Sequence, residues 1–210
     1  ETIGSALARF GTSRSLFAGA HLHSALLKSG LLAGLSNHLL TLYSRCRLPS
    51  AARAVFDEIP DPCHVSWSSL VTAYSNNGMP RDALLAFRAM RGRGVPCNEF
   101  ALPVVLKCAP DVRFGAQVHT LAVATRLVHD VFVANALVAM YGGFGMVDEA
   151  RRMFDEYVGV GGERNAVSWN TMISAYVKND QSGDAIGVFR EMVWSGERPN
   201  EFGFSCVVNA

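Results

Sequence analysis

Residues 166–200 read AVSWNTMISAYVKNDQSGDAIGVFREMVWSGERPN and align without a gap on residues 64–98, HVSWSSLVTAYSNNGMPRDALLAFRAMRGRGVPCN. Thirteen of the 35 positions are identical, among them V-S-W, A-Y, D-A, F-R, a Met, a Gly and the final Asn. This many identities at one offset mark an internal repeat, and a period of about 35 residues is that of a helical-hairpin array. Within 166–200, Trp169, Met172, Ile173 and Tyr176 fall at i, i+3, i+4 and i+7, the apolar face of a helix expected over 169–177. Turn residues fill 178–183. A second helix is expected over 184–194, with Asp184 as its N-cap and Gly196 and Pro199 as stop signals. No segment has the alternation and β-branched density of a strand.

Two further repeat types recur. Residues 37–58 (NHLLTLYSRCRLPSAARAVFDE) match 135–156 (NALVAMYGGFGMVDEARRMFDE), and a third type shows as SALARFG…GAHLH at 5–23, PVVLKCAP…GAQVH at 103–119 and EFGFSCVVNA at 201–210. The expected array is 1–32, 33–63, 64–98, 99–130, 131–165 and 166–200, followed by a repeat cut short at 201–210. One hairpin cannot bury its apolar face alone, so stacked neighbours must do it. The fold expected is therefore all-α, a right-handed superhelical solenoid of helix–turn–helix repeats with a concave groove. The glycine-rich 158–163 (VGVGGE) reads as a bulged turn between repeats. It lacks the G-K-S/T of a phosphate loop.

Composition narrows the function. Half of the 210 residues are hydrophobic and 18% are charged, which supports a continuous core. The net charge of +1 is low for a nucleic-acid binder that relies on a basic surface, so any such binding must use stacking and base contacts as well. The five cysteines form no C-x-x-C pair, and their odd number argues against a disulfide framework. No apolar run reaches the roughly 18 residues of a membrane-spanning helix, and no membrane partner is expected. The first residue is Glu1, and the last repeat stops inside its first helix; both suggest a fragment whose targeting peptide lies outside it.

The strings VSWNTMISAYVKN, DAIGVFREM, ERPNEF, VFVANALVAMY, DEARRMFDE and GAQVH resemble the plant pentatricopeptide repeat family. The three alternating types resemble its mixed subfamily of P, L and S repeats: 64–98 and 166–200 as P, 33–63 and 131–165 as S, and 1–32, 99–130 and the truncated 201–210 as L. The resemblance implies binding of single-stranded RNA at one base per repeat. It also implies a mitochondrial or chloroplast location, with site recognition for cytidine-to-uridine editing as the process and RNA-editing proteins as partners. No cofactor is implied. In the family, base choice rests on the fifth and last residues of each repeat, and the second residue wedges between bases. Carried over, the base-choice residues are Ser68 with Asn98 (adenine), Asn135 with Asn165 and Asn170 with Asn200 (pyrimidine), and Asn37, whose partner position holds Cys63. Repeats 1–32 and 99–130 carry Ser5 and Pro103 there, a poorer code. The sequence read from repeat 33–63 onward is pyrimidine, A, any, pyrimidine, pyrimidine. The wedge residues are Val65, Phe132 and Val167, with Gly34 unable to wedge. Arg45 and Lys178, placed just after a first helix, are expected to meet phosphate.

Each assignment has a plainer reading. Asn is a common turn and capping residue; only its recurrence at one repeat position argues for recognition. Trp67 and Trp169 lie on the apolar stripe and read as core in preference to stacking platforms, as do Tyr43, Tyr74, Tyr141 and Tyr176. His21, His23 and His119 lack further ligands at metal spacing, so no metal site is expected. Asp57/Glu58 and Asp155/Glu156 are adjacent residues that cannot face each other on a helix. No nucleophile–base constellation occurs, nor the H-x-E and P-C-x-x-C pair of a deaminase, so no catalytic residue is expected. The alternative function is a helical-repeat protein–protein scaffold without RNA contact.

Overall fold

The computed structural model describes residues 32–157, 164–201, 203 and 204. Among these residues there are ten α-helices, one 3-10 turn and no strand. Ser5, His21, His23, Cys206 and the VGVGGE stretch lie outside them. The helices are α1 (Leu32–Arg45), α2 (Pro49–Asp57), α3 (His64–Asn76), α4 (Pro80–Gly92), α5 (Ala101–Lys107), α6 (Val112–Ala124), α7 (Val131–Gly143), α8 (Val147–Glu156), α9 (Ala166–Lys178) and α10 (Ser182–Trp194), with the 3-10 turn at Leu127–His129.

The chain forms two compact units that divide after Cys108. In the first, α1 packs on α2 and along α3, and α3 packs on α4 and α5. Its interior holds Leu39, Leu40, Phe56, Trp67, Leu70, Met90, Leu102 and Leu106. In the second, α7 packs on α8 and along α9, α9 packs on α10, and α6 lies against α7. Leu137, Val138, Phe154, Trp169, Met172, Ile173 and Met192 fill it. Within each unit first helices therefore stack on first helices, and α2, α4, α8 and α10 cover their own partners. Trp67 and Trp169 are both core: each is 3% exposed and meets a phenylalanine edge-on, Trp67 with Phe56 at 4.6 Å and Trp169 with Phe154 at 5.1 Å between ring centres. Tyr43, Tyr74 and Tyr141 are buried as expected, whereas Tyr176 is half-buried.

The helix boundaries differ from the sequence expectation in two places. The first helix of 166–200 begins at Ala166, three residues before Trp169, because Asn165 caps it: its side-chain oxygen accepts from Ser168 N–H at 3.0 Å. The second helix begins at Ser182 with Gln181 at the cap position, so Asp184 is not the N-cap and lies in the first turn. There its charge still complements the helix dipole. The early start follows from the sharp turn before it, in which Asp180 takes φ 58° and Gln181 N–H returns to Tyr176 O. The equivalent residue of 64–98 is Gly78, with φ 72°. A left-handed backbone costs a residue with a Cβ about 1 kcal/mol relative to glycine. Asp180→Gly is accordingly expected to raise the stability of the second unit by about 0.5–1 kcal/mol, read as a higher urea midpoint at unchanged slope. A lower midpoint would mean that the aspartate side chain stabilises the turn.

Two asparagines at one repeat position hold the stacking. Asn77 Nδ2 donates to Ala73 O of its own helix at 2.7 Å and to Ser44 O of α1 at 3.1 Å. Asn179 Nδ2 does the same to Ala175 O at 2.7 Å and Gly142 O of α7 at 2.8 Å. Each satisfies a carbonyl in the last turns of two helices, where partners within the helix run out. Gly142 is required at that crossing, since a Cβ on it would collide with the Cβ of Ala175.

Candidate nucleic-acid interface

Each unit carries an open pocket between consecutive first helices, and the two are lined largely by equivalent residues. The pocket of the first unit, about 400 Å³, is lined by Thr41, Ser44 and Arg45 of α1, by Val65, Ser68, Ser69, Thr72 and Asn76 of α3, and by Asn98 and Phe100. That of the second, about 370 Å³, is lined by Ala139 and Gly143 of α7, by Val167, Asn170, Thr171, Ser174, Ala175 and Lys178 of α9, and by Asn200. The α3 and α9 residues correspond at a shift of 102 positions, as do Asn98 and Asn200. Small hydroxyl and amide side chains dominate, with one cation in each pocket.

The fifth and last repeat residues meet in both pockets. Ser68 Oγ donates to Asn98 Oδ1 at 3.0 Å, and Asn170 Nδ2 donates to Asn200 Oδ1 at 2.9 Å. The last residue also caps the next helix: Asn98 Oδ1 accepts from Ala101 N–H at 2.8 Å and Asn200 Oδ1 from Gly203 N–H at 3.0 Å. Because a backbone N–H can only donate, these caps fix which amide atom is oxygen. Among the buried side-chain atoms of each pair one has no partner, and the two differ in character. In the first it is the donor Asn98 Nδ2; in the second it is the acceptor Asn170 Oδ1. In Asn98 the capping oxygen and the unpaired nitrogen are different atoms of one side chain. Ser68 and Asn170 are each only 6% exposed, so they form the pocket floors and do not project from them.

The remaining pairs are not joined. Asn135 is buried with Oδ1 unpaired, Asn165 is exposed, and no hydrogen bond links them among the described residues. Asn37 Oδ1 is likewise buried and unpaired, while the exposed Cys63 lies 3.6 Å from Ser66 Oγ. The backbone N–H of Ser66 holds the Cys63 thiol below its ordinary pKa. Pro103 is half-buried within α5, and Asp130 spends its side chain capping α7 through Phe132 N–H and Val133 N–H.

The wedge candidates Val65, Phe132 and Val167 are exposed by 42%, 67% and 63%, unusual for apolar side chains next to a well-packed interior. Val65 and Val167 stand at the rims of the two pockets. Phe100, 65% exposed, stands at the rim of the first. Sequence reasoning missed it, although it occupies the second position of 99–130; the weak code of that repeat drew attention away. Arg45 and Lys178 do not follow their helices; each is the final residue of one, α1 and α9. Both line a pocket, and a cation there also complements the helix C-terminus.

His119 is structural in this arrangement. Its Nδ1 lies 2.9 Å from the Tyr141 hydroxyl, tying α6 to α7, and no group of three metal-ligating side chains occurs among the described residues. Burial pushes its pKa below 6.5, against the weaker opposing effect of Glu156. A histidine depressed in the folded state binds its proton more readily when unfolded. Its contribution is therefore complete above the ordinary histidine value and declines as pH falls below 6.5. Urea midpoints measured between pH 8 and pH 5 should fall on acidification, and less steeply in His119→Gln. An identical pH profile in the variant would remove His119 as the cause.

Stacked hairpins with a repeated polar pocket define the chain as a helical-repeat protein. Comparison with known proteins names the class: the PPR repeat family model matches residues 164–210 and the PPR repeat model matches 65–95 and 132–161, together more than half of the sequence. The chain belongs to the pentatricopeptide repeat family. Among curated relatives in Arabidopsis thaliana, one pentatricopeptide repeat-containing protein is 36% identical over 197 residues, 90% of this chain and 32% of its own length. A chloroplastic one is 36% identical, with 91% of this chain and 20% of its own length covered. A mitochondrial one is 30% identical, with 91% and 19% covered. The chain therefore spans a third or less of these relatives. Among solved structures, the pentatricopeptide repeat protein PPR10 in complex with an 18-nt psaJ RNA element matches with a TM-score of 0.77 at 20% identity, covering 96% of this chain and 31% of that one. PPR10 from maize matches at 0.64 and 18% identity, covering 98% and 35%. At these identities the likeness concerns the helical-repeat fold.

Proposed function

We propose that the chain binds single-stranded RNA at one base per repeat, as the P, L and S array of a longer mitochondrial or chloroplast protein that marks sites for cytidine-to-uridine editing. The observation that carries the reading is the pair of equivalent pockets, each floored by a fifth-position and a last-position side chain with one amide atom left unpaired. Short polar tips at fixed places between stacked helices suit the Watson–Crick edge of an unstacked base. An exposed apolar residue at the rim suits the base face. The RNA held by PPR10 and the chloroplastic and mitochondrial relatives support the same reading, as does the single cation in each pocket, placed for a phosphate. Base choice rests on Asn37, Ser68, Asn98, Asn135, Asn165, Asn170 and Asn200. Editing proteins would supply the chemistry. A peptide-binding scaffold would instead present clustered apolar or charged groove residues.

Titration with labelled single-stranded and duplex RNA tests the proposal. Single strands should bind more tightly, and log K should fall with log salt by roughly 0.7 per phosphate neutralised, a shallow total for few cations. Equal or tighter duplex binding counts against base reading.

A further inference from the structure

At three repeat junctions the side-chain oxygen of the last residue accepts a capping hydrogen bond from one backbone N–H of the next repeat, and the residue that donates it differs. It is Ala101 after Asn98, Ser168 after Asn165 and Gly203 after Asn200. All three are buried. This residue is the third of the next repeat, and at Gly203 it lies against Asn170, the fifth residue of the one before. Gly203 leaves room for Asn170: a Cβ on it would stand 2.7 Å from Asn170 Oδ1 and 3.8 Å from Asn200 Oδ1. The smaller Ser68 tolerates the methyl of Ala101. Ser168 has a different effect. Its hydroxyl lies 3.1 Å from Asn165 Oδ1 and occupies the acceptor that Asn170 uses in the equivalent place. Asn135 correspondingly makes no hydrogen bond to Asn165.

We infer that this third residue is a specificity-determining position, acting on the base read by the preceding repeat through the side chain it locks or frees. The inference rests on the RNA-reading proposal and deepens it. With Gly203, Asn170 Nδ2 is committed to Asn200 by one of its two hydrogens and Oδ1 lies against Gly203, so the amide is held in one orientation. With Ser168, the Asn135 amide is released, and rotation about its broad terminal torsion offers either oxygen or nitrogen. Uracil and cytosine differ in this respect: N3 is a donor in one and an acceptor in the other, and the exocyclic group at C4 is reversed. An amide held in one orientation offers one pattern and separates them, whereas a turning amide accepts both. Two repeats with the same pair of asparagines are thus expected to differ in stringency.

Competition binding of the 210-residue chain to RNAs that differ only at the base facing 166–200, or only at that facing 131–165, reads this directly. The parent should separate uracil from cytosine by about fivefold or more at the first position and by less than about twofold at the second. Gly203→Ser should bring the first ratio to about twofold, and Ser168→Gly should raise the second to about fivefold. Gly203 lies in helical backbone, so its φ does not oppose the change; circular dichroism confirms the fold, and Ser168→Gly asks the same question by removing a side chain. As a rescue, Asn170→Ser with Gly203→Ala rebuilds the Ser68–Asn98–Ala101 arrangement and should turn that position toward adenine. If the pyrimidine preference stands while both ratios stay within about twofold of the parent, this inference is overturned alone. If the parent shows no base preference at either position, the RNA-reading proposal falls and this one with it.

Discussion

Trp169→Ala is expected to destabilise the unit that begins at Ala109 by about 3–5 kcal/mol, the range for emptying a large aromatic site in a core. The side chain is 3% exposed and lies edge-on against Phe154, with the Arg164 guanidinium 5.5 Å from its ring centre. Truncation removes the floor shared by α8 and α9 and leaves a cavity that rigid neighbouring helices cannot close. Trp169→Phe should cost far less, about 1–2 kcal/mol, because it keeps the edge-to-face contact and deletes an indole Nε1 that has no partner. Urea unfolding of the three proteins gives the comparison. An alanine variant within about 1 kcal/mol of the parent that has lost RNA affinity would make Trp169 a stacking platform after all.

How the fold follows from the residues is clearest at the same position. The apolar stripe through Trp169, Met172 and Ile173 is a purely local pattern, and the 102-residue shift repeats it at Trp67, Leu70 and Val71, so helix, repeat and core could all be read before any coordinates. The helix starts could not. Whether Asn165 is a turn residue or a cap depends on a single hydrogen bond to Ser168, and Asp180 hides a backbone conformation that glycine, at Gly78, announces openly. The recognition site was half visible. Residue type and repeat position pick out Ser68, Asn98, Asn170 and Asn200, but which amide atom stays unpaired depends on caps formed by Ala101 and Gly203, thirty-three residues along the chain from the fifth position. Gly203 and Ser168 carry no signal of their own, since small residues are ordinary on a packed helix. Asn77 and Asn179 are identical in the two aligned repeats, yet only the carbonyls they bridge explain why.

Asn98→Asp is expected to shift the base preferred by repeat 64–98 while leaving the fold intact. The substitution is nearly isosteric. It keeps the oxygen that accepts from Ala101 N–H and Ser68 Oγ, and an aspartate caps a helix as well as an asparagine does. Asn98 is buried, so the added charge should cost about 1–3 kcal/mol of stability in spite of the cap, and the fold should survive. What changes is Nδ2, a buried donor with no partner, which becomes an acceptor. A base with an acceptor at the facing atom, such as adenine at N1, then meets oxygen against nitrogen. A base with a donor there, guanine at N1 or uracil at N3, gains a partner. The shift in preference should be about 1–3 kcal/mol, the scale of a good base-edge contact in DNA. The added negative charge weakens binding to every RNA alike, so the readout is the ratio between RNAs differing at that single base. Asn98→Ala is the control: it removes the cap as well and should cost about 1 kcal/mol of stability besides the loss of discrimination. If Asn98→Asp binds adenine as selectively as the parent, the unpaired amide does not face the base, and recognition in this repeat must come from Ser68 alone.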